Sequence, residues 1–166
     1  RVALRSDSAS PVHTNQDHNQ SVIQTPWMGD GRAYTMLSYD YGRSGYSDYD
    51  GYFLAFSDDG IMWTDGPEEP VIPGHSDVGW FTYDAQNRKF RGIVKTYLSI
   101  RGYSRRSVLW TESEDGFNWT MIDVPPIPSD DTSYLEYDEL TEQFVATVKL
   151  PTEWGRSVWL STSNDF

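Results

Sequence analysis

An all-β chain of repeated four-stranded antiparallel units is the fold class this sequence predicts, and three observations predict it. Apolar and aromatic runs are short, and Gly or Pro interrupts them at about eight- to twelve-residue intervals, the spacing of short strands. The motif S-x-D-G-x-x-W occurs twice, as Ser57-Asp58-Asp59-Gly60-Ile61-Met62-Trp63 and Ser113-Glu114-Asp115-Gly116-Phe117-Asn118-Trp119. Longer stretches repeat too: Tyr83–Phe90 matches Tyr137–Phe144, and Ile93-Val94-Lys95 matches Thr147-Val148-Lys149 at the same offset (83 to 137, 93 to 147). A repeat of about 50 residues holding about four short strands is the signature of a propeller blade.

Each unit follows one order. Strand A is expected at Ser21–Ile23, Gly79–Tyr83 and Ser133–Tyr137, and strand B at Ala33–Tyr39, Phe90–Tyr97 and Phe144–Leu150. A longer loop (Ser99–Arg105 and Pro151–Gly155 in the last two repeats) leads to strand C, and the boxed motif turns the chain into strand D near Trp63 or Trp119. In each box Asp accepts hydrogen bonds from turn amides, Gly takes the left-handed conformation and Trp packs the turn onto the next strand. The links Gly66-Pro67-Glu68-Glu69-Pro70 and Val124-Pro125-Pro126-Ile127-Pro128 are short of amide donors, which suits a crossing between sheets and not a central strand. The expected blades are 17–70, 75–124 and 129–166, in a single partial propeller domain. A third box opens at Ser163-Asn164-Asp165 just before Phe166, so the expectation is about three blades of a longer, five-bladed propeller. The competing reading is a complete small β-sandwich with coincidental repeats.

Composition bounds the function. A net charge of −12 argues against nucleic acid and anionic membranes as partners. Without cysteine there are no disulfides, thiol nucleophiles or Cys-based zinc sites, and His13, His18 and His75 are too scattered to suggest a metal; no cofactor is expected. No apolar run approaches the length of a membrane-spanning helix. The chain opens on Arg1 and not Met, so any leader has been removed or lies outside this sequence.

The strand order decides which end to inspect. Strand A starts and B–C loops share one end of each sheet, and the boxes lie at the other, so Asp59 and Asp115 are expected to be turn residues without catalytic work. An acid precedes each strand A: Asp17, Asp77 and Asp131, the last two separated by the same offset as the repeats (77 to 131). Glycoside hydrolysis needs two carboxylates about one bond, one protonated and one ionised, and a third acid can hold their pKa values apart. These three are the candidate catalytic residues; capping a turn is the plainer role for any one of them. Candidate substrate contacts at that end are His18, His75, Trp80, Arg101 and Trp154: aromatic faces stack on sugar C–H groups, and guanidinium groups such as Arg101 and Arg105 suit carboxylate or sulfate. Arg106 and Arg156 hold equivalent repeat positions, which favours packing between blades.

The stretch from His75-Ser76-Asp77 through Tyr83-Asp84, Lys89-Phe90, Lys95, Arg106 and the box at Ser113–Trp119 resembles the five-bladed β-propeller glycoside hydrolases of the invertase, levansucrase and arabinanase type, families 32, 43 and 68. That resemblance implies a base or nucleophile at Asp17, a supporting acid at Asp77 and the proton donor at Asp131. The family uses Glu as the donor, so either Asp131 serves, or Glu136 takes the role, or catalysis has been lost. The boxes are also similar to those of sialidases, which usually have one more residue between Asp and Gly. The expectation is a secreted or periplasmic glycosidase acting on a poly- or oligosaccharide, with the remaining blades of the same protein as partner; the alternative is a non-catalytic carbohydrate-binding or structural propeller module.

Overall fold

The structure, a computed structural model, describes residues 5–6, 18–29, 32–40, 50–75, 77–130 and 133–166, with only the backbone described at 5–6, 18–20 and 100. It divides into two compact units, Arg1–Gly74 and His75–Phe166.

The first unit holds one six-stranded sheet. Its strands are β1 (Arg5–Ser6), β2 (His18–Gln24), β3 (Tyr34–Asp40), β4 (Gly51–Ser57), β5 (Met62–Asp65) and β6 (Ile72–Pro73). The order is β2-β3-β4-β5-β1, antiparallel except that β1 lies parallel to β5, and β6 pairs with the far end of β4. β3 and β4 are buried along nearly their whole length, as central strands of a stacked sheet should be. Met36, Ala55 and Trp63 form their core with Tyr34, and the Tyr39 and Tyr52 rings meet edge to face at 5.3 Å. β2 is longer than the sequence suggests and carries a bulge between His18 and Ser21. The turn after it begins with a 3₁₀ turn, Pro26–Met28, where proline at the first helical position fixes φ.

The second unit holds two sheets. One runs β7 (Gly79–Asp84), β8 (Lys89–Ile100), β9 (Tyr103–Ser113) and β10 (Thr120–Met121) in order, with β11 (Ile127–Pro128) pairing the other half of β9. The other runs β12 (Tyr134–Asp138), β13 (Gln143–Thr152) and β14 (Gly155–Ser163). The Pro-rich links, expected to cross between sheets, instead each join two strands of one sheet, β5 to β6 and β10 to β11, and the chain leaves the sheet only after that brief edge pairing, where a missing N–H costs little. The sheets pack through Ile93, Val108, Leu135, Tyr137 and Phe144, flanked by Trp80, Trp110 and Phe166. Thr82 Oγ1 accepts the Tyr137 N–H at 3.1 Å, and Trp80 packs on Tyr134 with ring centres 5.0 Å apart and planes tilted by 50°, so β7 and β12 run side by side in the same direction.

Both boxed turns close the same way. Ser57 Oγ accepts from the Gly60 amide at 2.9 Å while Asp59 Oδ1 accepts from Ile61 and Met62 at 2.7 and 2.9 Å. Ser113 Oγ and Asp115 Oδ1 repeat the pattern with Gly116, Phe117 and Asn118 at 2.9, 2.8 and 2.8 Å. Gly60 and Gly116 sit at φ 75° and 78°, where a Cβ is unfavourable. Trp119 donates its indole N–H to the Gly116 carbonyl at 2.8 Å and packs on Phe81 and Phe90. At Ser163 one of these bonds recurs: the Asp165 amide donates to Ser163 Oγ at 3.2 Å.

Candidate functional site

The strand directions put the start of β7, the start of β12 and the tips of the β8–β9 and β13–β14 hairpins at one end of the second unit, away from the boxed turns. Of the three candidate acids, Asp77 lies there. Asp17 and Asp131 lie outside the described residues.

Asp77 sits two residues before β7, and its Oδ1 is 2.6 Å from Lys95 Nζ. The partner is an unusual lysine: its side chain is 4% exposed, against 30% for Asp77. Strand alternation explains why it is inside. Lys95 follows Ile93 on the face of β8 that packs against the third sheet, opposite Val108 on β9. Its backbone N–H bonds the Val78 carbonyl at 2.7 Å. A buried ammonium is tolerated only when paired, and the aspartate just ahead of the neighbouring strand supplies the opposite charge. The Tyr97 ring centre lies 5.9 Å from Nζ, giving the cation a second, aromatic neighbour.

The remaining candidates at this end differ in surroundings. Trp80 is half-buried against Tyr134 and the core of the unit. His75 is an exposed residue in the left-handed region at φ 65°. Although the residue as a whole is exposed, partial burial of its ring lowers its pKa below the usual 6.5. Arg101 occupies the first place of the two-residue β8–β9 turn, Arg101-Gly102, with φ of 51° and 78°. Trp154 is 88% exposed at the tip of β13–β14, its amide bonded to Thr152 Oγ1. For His18 the backbone alone is described, on β2 in the other unit. Glu136 is exposed on β12 and accepts the Tyr134 hydroxyl at 2.7 Å; burial first, and then that carboxylate, push the Tyr134 hydroxyl up to about 12.

Two features escaped the sequence reading. Lys95 was visible only as a repeated position, because nothing local says that its row is covered by another sheet. The segments Ser99–Arg105 and Pro151–Gly155, expected as loops, are instead hairpin ribbons: pairing continues through Leu98↔Arg105 to Ile100↔Tyr103, and through Pro151↔Arg156 to Thr152↔Gly155. Alternation along 97–100, with a Gly two residues on, was the signal for a tight hairpin.

At the far end, a cavity of about 290 Å³ is lined by Lys89, Glu112, Ser113, Asp115 and Asn118. Its polar walls are held by structural pairs, Lys89–Glu112 at 3.0 Å and Arg91 with both Glu112 and Asp84. Asp84 and Asp115 are engaged in fixing turns.

Antiparallel sheets with three or four strands in sequence order, the two of the second unit packed with their first strands side by side, are blades of a β-propeller. No protein-family model matches the chain, and no curated protein sequence is detectably similar to it. Solved structures share the fold. A protein described as a glycoside hydrolase superposes with a TM-score of 0.61 at 16% identity, over 90% of this chain and 46% of the other. A GH32 β-fructofuranosidase from Bombyx mori, in complex with sucrose, gives 0.61 at 13% identity over 91% and 32%. An N-acetylgalactosamine deacetylase from F. plautii, in complex with blood group B trisaccharide, gives 0.59 at 14% over 90% and 50%. The chain thus spans about a third to a half of the length of the structures it matches.

Proposed function

We propose that this chain is part of a carbohydrate-acting β-propeller, a glycoside hydrolase whose carboxylates gather where the inner strands begin. In this reading the three sheets are successive blades of a five-bladed ring. The observation that carries it is the Asp77–Lys95 pair at the start of β7. Hydrolysis of a glycosidic bond requires carboxyl groups in different protonation states. A carboxylate paired with a buried ammonium acts as the ionised partner, stabilising positive charge that develops on the sugar. Asp77 is then the supporting acid, Asp17 the base or nucleophile, and the proton comes from Asp131 or Glu136. The likeness to carbohydrate-bound structures supports the substrate class. One of those structures is a deacetylase, so the fold alone does not choose the reaction.

The same ion pair favours a second reading, a non-catalytic glycan-binding module in which Asp77 only anchors the start of β7. Reducing-sugar release from a panel of oligo- and polysaccharides separates the two. Under the hydrolase reading, Asp77→Asn lowers turnover about a thousandfold. It also takes an opposite charge away from the buried Lys95 ammonium, at a cost of up to about 3–5 kcal/mol, whereas Lys95→Met leaves a partly hydrated carboxylate and costs about 1–2 kcal/mol. The double variant K95M/D77N removes both charges of the pair and isolates lost chemistry from lost fold. A folded double variant that retains full hydrolysis would rule Asp77 out of the reaction. Glycan binding without any hydrolysis would establish the module.

A further inference from the structure

We propose that the β8–β9 ribbon is a subsite for an anionic sugar, one bearing a carboxylate or a sulfate ester; the inference builds on the carbohydrate reading and specifies its substrate. Between Asp84 and Glu112 the sequence holds Arg88, Lys89, Arg91, Lys95, Arg101, Arg105 and Arg106 and no acid, in a chain of net charge −12. The first four are placed at the base of the ribbon, where Lys89 and Arg91 pair with Glu112 and Lys95 pairs with Asp77. The last three are exposed at the projecting end, Arg106 among them although its repeat position had suggested packing between blades. β7 begins opposite Val94, so β8 runs six residues past it, and the ribbon stands clear of the strand that would otherwise flank it.

The register gives this end a repeated chemistry. Tyr97 lies directly opposite Arg106 on one face, the face that carries Lys95. Tyr103 and Arg105 lie two residues apart on the other face. Each face thus sets an exposed tyrosine, 53% and 74% exposed respectively, beside a guanidinium. Arg101 adds a third cation at the turn. Neither Arg101 nor Arg105 has a carboxylate partner among the described residues. Aromatic faces stack on sugar rings, and guanidinium forks match carboxylate and sulfate oxygens while a neutral sugar gains nothing from them. The Tyr97 face leads directly to Asp77 through Lys95, so a sugar held there lies beside the proposed reacting carboxylate. The acidic remainder of the chain repels polyanions, which makes retention of one diagnostic of this patch.

The test measures affinity of the purified chain for polygalacturonate, a sulfated galactan, an uncharged galactomannan and duplex DNA at two salt concentrations. One of the two anionic glycans is expected to bind, more weakly at high salt, and which one it is separates carboxylate from sulfate recognition. R101Q/R105Q should lower that affinity about tenfold, and Tyr103→Ala should lower it severalfold, with melting temperature unchanged because these side chains are exposed. Equal affinity for galactomannan, equal retention of DNA, indifference to R101Q/R105Q or failure to bind either anionic glycan would each overturn the inference. Hydrolysis of neutral glycans without anionic binding would remove this subsite and leave the hydrolase reading standing. Anionic binding that persists without hydrolysis would do the reverse.

Discussion

Replacing Asp115 with alanine tests whether the boxed turn holds the second unit together. The carboxylate accepts the Phe117 and Asn118 amides, both at 2.8 Å, the Ser113 hydroxyl at 3.1 Å and the Asn118 side-chain amide at 2.7 Å. Partial burial pushes its pKa up, but the Asn118 amide and side chain, the Phe117 amide and Ser113 outweigh that and hold it at about 2, against an ordinary 3.8. That difference corresponds to at most about 2.5 kcal/mol, and solvent screening at this exposed site reduces it to about 1 kcal/mol. Because the folded pKa is the lower one, the contribution is complete above the unfolded value of 3.8 and is lost as pH falls through about 2. Asp115→Ala should therefore destabilise by about 1–2 kcal/mol at pH 7, the cost of losing a side-chain cap. The deficit should narrow steadily between pH 4 and pH 2. Urea unfolding followed by tryptophan fluorescence at a series of pH values reads both effects. Asp115→Asn, which keeps a neutral acceptor, should lose about half as much at pH 7, and its deficit should narrow over the same pH range because it is the parent's carboxylate that titrates. A variant within about 0.5 kcal/mol of the parent at pH 7, the range of an ordinary surface substitution, would refute the reasoning. So would a deficit that does not change with pH.

Two further expectations concern packing. A Cβ added at Gly92 would overlap Phe81 Cδ1 and lie 3.1 Å from Thr111 Cγ2. Gly92→Ala should therefore destabilise the second sheet by about 1–3 kcal/mol, visible as a lower melting temperature; an unchanged one would contradict the contact. Val108 and Val158 are repeat equivalents, yet Val108 is 2% exposed and Val158 is 72% exposed. Val108→Ala should cost about 1–3 kcal/mol and Val158→Ala under about 0.5 kcal/mol in chemical unfolding of this chain, and equal costs would show that something covers β14.

The sequence and the structure agree most closely where interactions are local. The S-x-D-G turns, the A–B hairpins and the constant offset between repeats all depend on hydrogen bonds and alternation within a few residues, so composition and spacing reveal them. Asp84 and Asp138 illustrate this, each fixing the turn that follows it. The ends of strands were less legible. β8 continues to Ile100, past the expected Tyr97, because Leu98 finds Arg105 and Ser99 finds Ser104 across the ribbon, which is a matter of pairing and not of propensity. β1 beside β5 could not be foreseen, since a two-residue strand has no periodicity to read. At the candidate site the position of Asp77 before strand A was legible from the repeat. Its bond to Lys95 was not, because that lysine is charged in sequence and becomes interior only when the third sheet covers its row.

The boxed turns have a consequence for how the chain reaches its fold. Every hydrogen bond that Ser57, Asp59, Ser113 and Asp115 make within them spans only two or three residues. Closing so short a loop costs little chain entropy, so each turn can form before any strand has found a distant partner. Once formed, it sets the direction in which the chain leaves strand C. The packing of β12 on β7, joining residues more than fifty positions apart, is left for later. Each of the first two sheets thus carries its own early-forming corner, and assembly proceeds from those corners inward.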